Sequence, residues 1–210
     1  MNTQQFVTDA LQSATILRKP FPYFYAQNVF PTDVYAQMQE ILQDKTDWHS
    51  EKYANRTFAN AIGLSQVDFM LSPDFASTVL HLFDSNVKAA FPTESERRFR
   101  SDLRLIRDSQ EYKIGPHTDA PWKVISLLFY LPETEQHSDY GTSIYVPRDP
   151  TFVCEGGPHY PFEPFERVWT APFLPNTCLG FWKTNKSFHG VEPIPIQFRR
   201  DVLLFNIYRA

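Results

Sequence analysis

The apolar positions of this chain change their period once. Over the first ninety residues they recur at helical spacing. Phe6, Val7, Ala10, Leu11, Ala14 and Leu17 share one helix face. The run PFPYFYAQNVF then breaks the period, is bounded by prolines and reads as extended. Pro31-Thr32-Asp33 opens a second helix with Val34, Met38, Ile41 and Leu42 on its face. Ser72-Pro73-Asp74 opens a third, with Phe75, Val79, Leu80, Phe83 and Val87 on one side. Proline at the first helical position and acids in the first turn suit both starts. After Phe91 the period shortens. LRLIR, KVISLLFYL, TSIYV, FERVWT, TCLGFW and DVLLFNIY are β-type runs separated by Pro, Gly, Asn and Asp. Their connections are too short for parallel crossovers, so a mainly antiparallel sheet is expected. Helices first and strands after predict an α+β fold, mainly β, as a sandwich or barrel closed by the helical segment. Residues 147–165, PRDPTFVCEGGPHYPFEPF, form a long connection of the kind that serves as a lid.

Composition narrows the function classes. The 210 residues suit one domain. Lys+Arg number 20 against 24 Asp+Glu, a net charge of -4, so no overall basic field draws the chain to nucleic acid or anionic lipid. Two cysteines, Cys154 and Cys178, exclude a disulfide scaffold and a CxxC zinc pattern. Two thiols in a reducing cytosol are expected, hence a cytoplasmic protein. The start, MNTQQFVTDALQ, lacks a basic and then apolar leader pattern. The apolar run Val124 to Leu131 falls far short of the ~20 residues that span a bilayer.

Candidate chemistry rests on histidines. A His-x-Asp/Glu pair on an extended strand presents both side chains to one face, and so can chelate a metal. With six histidines and 24 acids in 210 residues, about 0.7 such pairs arise by chance. Three occur: His49/Glu51, His117/Asp119 and His137/Asp139. His49 and His137 lie in polar connections and read as solvated. His117 follows Ile114-Gly115-Pro116 and precedes an apolar strand, at a barrel mouth. His189, in KSFHGVEP, also stands between apolar strands. Two His and one carboxylate with open positions suit non-haem Fe(II) oxygen chemistry. Arg200 enters the strand DVLLFNIY eleven residues after His189. It shares parity with Val202, Leu204 and Asn206, whereas Arg199 shares it with Asp201 and Leu203. Asp201 is expected to face solvent and take Arg199 with it, which turns Arg200 inward, where it requires an anion.

The stretch IGPHTDAPWKVISLLFYLPE…YGTSIYVPRD…FWKTNKSFHGVEPI…RRDVLLFNIY resembles the 2-oxoglutarate/Fe(II)-dependent dioxygenases, specifically their prolyl-4-hydroxylase-like branch. The resemblance covers roughly residues 100–208. It implies a double-stranded β-helix, or jelly roll, over 92–210, on a mainly helical support over 1–91, as one domain. By position, His117, Asp119 and His189 match the iron ligands. Arg200 matches the residue that holds the far carboxylate of 2-oxoglutarate, and Tyr130 a tyrosine that assists it. Arg107 stands where several relatives have a pocket tyrosine, and with Tyr112 is a candidate for the substrate side. The cofactors implied are Fe(II), 2-oxoglutarate as co-substrate, and O2. The activity implied is hydroxylation of an unactivated C–H bond of a small molecule or peptide, with succinate and CO2 released. Three other readings fit parts of the pattern: a nucleic-acid oxidative demethylase, a metal-binding jelly roll without catalysis, and a cupin-like dioxygenase without co-substrate. The Arg cluster at 97–107 is the only support for the first, and the acidic net charge opposes it. Arg200 beside the histidines argues against the second. Succinate release separates the third.

Overall fold

The computed structural model describes residues 2–61, 64–194 and 197–210. Alternation along one strand, β11 (Arg200–Arg209), sets the architecture, because successive side chains leave a strand on opposite faces. Leu203, Phe205 and Ile207 point outward into the largest apolar core, which they share with the helices. Val202 and Leu204 point inward, into a second cluster between the sheets.

The helical layer consists of α1 (Thr3–Gln12), α2 (Thr32–Asp44), α3 (Pro73–Leu82) and α4 (Asp84–Ala90). The strands are β1 (Tyr23–Gln27), β2 (His49–Ser50), β3 (Arg56–Asn60), β4 (Phe99–Asp108), β5 (Ile114–His117), β6 (Lys123–Tyr130), β7 (Ser143–Pro147), β8 (Phe165–Thr170), β9 (Thr177–Trp182) and β10 (His189–Val191), followed by β11. The larger sheet runs β1-β9-β6-β11-β4-β3-β2, and the smaller β5-β10-β7-β8. Every named pairing is antiparallel, as the short connections predict. The two sheets form a jelly roll with helices on the outer face of the larger one.

Apolar helix faces hold the layer in place. Val7, Leu11, Val34, Met38, Phe75 and Val79 are buried in the same core as Phe205. Phe75 meets Phe205 edge-on, with ring centroids 5.2 Å apart. Truncating either ring to alanine would cost about 3–5 kcal/mol through lost burial and the cavity left behind.

Local signals shift several expected boundaries. Helix α1 stops at Gln12, and Leu17 instead pairs with Tyr23 in an isolated bridge, 49% exposed. Pro31 caps α2 rather than occupying its first turn. The third predicted helix breaks at Phe83 into α3 and α4. The first ninety residues are not only a helical support, since β1, β2 and β3 belong to the larger sheet. Residues 148–164 are no loose flap: Phe152, Cys154, Tyr160 and Phe162 pack with Tyr145, Phe165 and Phe188 into a core of their own. Cys154 and Cys178 are both buried free thiols. Among the described residues no helix is long and apolar enough to cross a membrane.

Candidate metal and co-substrate site

The smaller sheet brings the two strand-flanked histidines together. His117 ends β5, His189 begins β10, and the antiparallel register sets them directly opposite. Their ring centroids lie 4.3 Å apart. Each ring is oriented by its own backbone. His117 Nδ1 lies 3.0 Å from the Gly115 carbonyl, and His189 Nδ1 lies 3.0 Å from the Ser187 carbonyl. A carbonyl only accepts, so both Nδ1 atoms carry the proton and both Nε2 lone pairs are left for a metal.

Asp119 completes the group. It lies in the turn between β5 and β6, and the ligand atoms of His117, Asp119 and His189 all fall within 4.8 Å of one another. Ser126 donates to Asp119 Oδ2 at 2.8 Å, and the Lys123 ammonium donates to Oδ1 at 2.9 Å. Behind it, Gly156 sits at φ +128°, where a Cβ would lie 2.3 Å from the Asp119 carbonyl oxygen. Glycine lets the 148–164 segment close against the turn that carries the carboxylate.

The protonation states suit a cation. Burial, and then the charge of His189, hold His117 well below the ordinary histidine range. Burial also lowers His189, with Asp119 opposing. Burial works against the charge of Asp119, but Lys123, His189 and His117 outweigh it and keep the carboxyl well below its usual range. Two neutral imidazoles and one carboxylate are the forms in which these groups bind a divalent metal.

A second polar layer lies across the larger sheet. Register aligns Arg200 of β11 with Asp108 of β4, and Asp108 with Arg56 of β3, so the three form a row on the inner face. Arg200 is 1% exposed. It donates to Asp108 Oδ2 at 2.7 Å, to the Tyr140 carbonyl at 2.8 Å and to Thr142 Oγ1 at 3.0 Å. Arg56 grips the same carboxylate with two bonds, of 2.6 and 3.0 Å. His117, Asp119, His189, Lys123, Arg56 and Arg200 line one cavity of about 100 Å³. Pockets for drug-sized ligands begin at ~300 Å³, so this one suits a small ligand at depth with any larger molecule at its mouth. Two larger surface grooves of about 460 and 490 Å³, both beside Trp169, hold no such cluster.

Other expected residues fall as follows. Tyr130 is fully buried, with the Arg200 guanidinium 5.5 Å from its ring centre, and its hydroxyl accepts from the Thr142 amide at 3.0 Å. Arg107 does not reach the cavity. It is one residue out of parity with Asp108, points to the helical layer, binds Asp201 with two bonds and the Leu42 carbonyl with a third, and stacks on Trp48. Tyr112 is no mouth residue: it is buried, with the Arg56 guanidinium 4.3 Å over its ring. Arg200 does turn inward, but not because Asp201 is solvated. Asp201 is 1% exposed, held on the helical side by Arg107 and Arg199. His49 is exposed on β2, and His137 stacks on Phe198; neither joins a metal group among the described residues. Sequence reasoning missed Arg56 and Asp108, whose signal lies only in cross-strand register, and His159, whose ring lies 4.5 Å from that of His117.

Comparison with known proteins separates sequence from fold. No family model and no curated protein matches. Solved structures do. A Pseudomonas putida prolyl-4-hydroxylase superposes with TM-score 0.58 at 15% identity, covering 99% of both chains. The fold is that of the 2-oxoglutarate/Fe(II) dioxygenases. A Trichoplax adhaerens prolyl hydroxylase, solved with a hypoxia inducible factor peptide fragment, gives TM-score 0.58 at 13% identity over 98% of this chain and 89% of that one. HygX of Streptomyces hygroscopicus, solved with nickel and 2-oxoglutarate, gives 0.52 at 11% over 99% and 86%. The dioxygenase fold thus spans the whole chain, with β1, β2, β3 and the helices inside its boundary.

Proposed function

We propose that this protein is an Fe(II)- and 2-oxoglutarate-dependent oxygenase that hydroxylates a C–H bond of a small molecule or peptide. One observation carries the reading: a two-histidine, one-carboxylate group shares a small buried cavity with an inward-facing arginine. His117, Asp119 and His189 would hold the iron through both Nε2 atoms and the Asp119 carboxylate. Three protein ligands leave positions free for the co-substrate and dioxygen. Arg200 would take the far carboxylate of 2-oxoglutarate, since its fork matches a carboxylate in two-point contact. When bound, iron and 2-oxoglutarate supply dioxygen activation, with succinate and CO2 as co-products.

The chain's own contribution is orientation and dryness. Ser126 and Lys123 fix the rotamer of Asp119, and the Gly115 and Ser187 carbonyls fix the two rings. Thr142 and the Tyr140 carbonyl hold Arg200 in place. The cavity's depth keeps the reacting end away from bulk water. Solved neighbours of this fold hold different molecules: one a peptide fragment, and HygX hygromycin B.

The test is succinate formation from 2-oxoglutarate by the Fe(II)-loaded chain, with and without candidate substrates. Turnover should require Fe(II) and vanish in His189→Ala. Succinate formation that persists in that variant, or its absence from the metal-loaded wild-type chain under all conditions, would overturn the proposal.

A further inference from the structure

The row Arg56–Asp108–Arg200 is one negative charge short. Two guanidiniums face one carboxylate, and Asp108 is wholly buried. Burial disfavours an uncompensated charge, and beyond Asp108 the carboxylate that acts on Arg56 is Glu51, which forms no ion pair with it, so the row can take one further anion. Asp108 already accepts three N–H groups: Nε and Nη2 of Arg56, and Nη1 of Arg200. Its capacity is nearly used. An arginine has five N–H donors. Two of those on Arg56 and three on Arg200 have partners among the described residues, so Arg56 retains the larger unused share. Both arginines line the cavity that holds the three metal-ligating candidates.

Tyr112 stands behind Arg56, with the guanidinium 4.3 Å over its ring. The Tyr112 hydroxyl is buried and has no hydrogen-bond partner among the described residues. The charges of Arg56, Asp108, Arg200 and Glu51 all act on it. Native proteins leave few buried hydroxyls unpaired, and such a group usually marks an absent water, ion or ligand.

We propose that Arg56 is a second anchor, beside Arg200, for the terminal carboxylate of the co-substrate, and that Asp108 is the counter-ion holding both guanidiniums in register. This rests on the oxygenase reading above. It assigns selectivity for a dicarboxylate to a residue of β3, far from the histidine motifs in sequence. Asp108 is a positioning residue: without it two like charges would repel in a dry cavity, and with it they form a fork that accepts one carboxylate.

Calorimetric titration of the Mn(II)-loaded full chain with two probes tests this: 2-oxoglutarate, and 2-oxobutyrate, which keeps the keto acid end and lacks the terminal carboxylate. Arg56→Met keeps the stem over Tyr112 and removes the charge. It should weaken 2-oxoglutarate at least tenfold and leave 2-oxobutyrate within twofold, so the preference between them collapses. A purely structural Arg56 would weaken both probes alike or neither, and either result overturns the inference. Should the methionine variant not fold, Arg56→Lys carries the same readout, with a smaller expected loss of threefold or more confined to 2-oxoglutarate. Arg200→Ala separates the two levels. If it abolishes the preference and Arg56→Met does not, only the second anchor is wrong. If neither variant alters the preference, the co-substrate assignment itself falls.

Discussion

Replacing Arg200 by alanine tests the co-substrate anchor and the architecture around it at once. The variant removes three hydrogen bonds, to Asp108, Thr142 and the Tyr140 carbonyl. Breaking a buried ion pair usually costs about 3–5 kcal/mol, because the partner is left charged and alone. Asp108 is not left alone here, since Arg56 keeps two bonds to it. The expected loss is therefore about 2–3 kcal/mol, at or below the low end of that range. For a chain of this size that is a fall in Tm of roughly 4–12 °C, so the variant should remain folded at 20 °C. Loss of a charged hydrogen bond to ligand contributes on the order of 1.5–3 kcal/mol, so the 2-oxoglutarate requirement should rise at least about tenfold. Iron binding should be nearly intact. Arg199→Ala is the control: it is half-exposed, pairs with Glu133 and Asp201, and leaves Asp201 held by Arg107. It should change little. The assay is succinate formation against 2-oxoglutarate concentration at 20 °C, with circular dichroism for folding. A folded Arg200→Ala chain with unchanged requirement, or a larger effect from Arg199, would refute the argument.

Four further outcomes follow from the same geometry. His117→Ala should abolish tight metal binding while His137→Ala leaves it intact, as read by Mn(II) titration, because only His117 faces a carboxylate and a second histidine. Lys123→Met should tighten metal binding by about threefold or more, since it removes a cation 2.9 Å from a ligand oxygen; weaker binding would mean that the lysine chiefly orients Asp119. Both ligand histidines are held below the ordinary range, so their nitrogens stay free of protons at lower pH. Metal affinity should therefore change less than threefold from pH 7.5 to 6, where two ordinary imidazoles near 6.5 would lose roughly tenfold. Gly156→Ala should lower stability by about 1–3 kcal/mol and weaken metal binding, because its positive φ and the Asp119 carbonyl leave no room for a Cβ; unchanged thermal unfolding would contradict the close approach.

An antiparallel sandwich or barrel and the His-Asp-His group were legible in the sequence for a physical reason, while the jelly roll came from the family resemblance. Strand alternation and short Pro/Gly-marked connections are local signals, and His117 and Asp119 sit two apart, so their common face is written in the chain. His189 could be paired with them because it too is enclosed by apolar strands. What was not legible depends on register. Strand β3 has a single buried residue, Ala59, and so shows no alternation to read. Arg56 within it looks like part of a polar connection until β4 places Asp108 beside it.

Asp201 shows the same limit from the other side. An acid next to an inward arginine was expected to face water, on the ordinary rule that lone charges stay solvated. It is instead buried between Arg107 and Arg199 on the helical face. The inference that Arg200 faces inward was therefore right for a reason that does not hold. Adjacent residues on β4, Arg107 and Asp108, pair with adjacent residues on β11, Asp201 and Arg200 respectively. Each pair is an arginine–aspartate couple, with opposite order on the two strands and on opposite faces of one sheet. Only the inner couple has a second arginine, Arg56, at its next register position, where the outer couple meets Thr57. The outer couple is further served by Arg199, but at the sheet's end, where that arginine is half-exposed and also reaches Glu133. The two faces thus carry nearly the same ion pairs. What turns one into a structural clasp and the other into a candidate ligand site is a second arginine that lines a cavity.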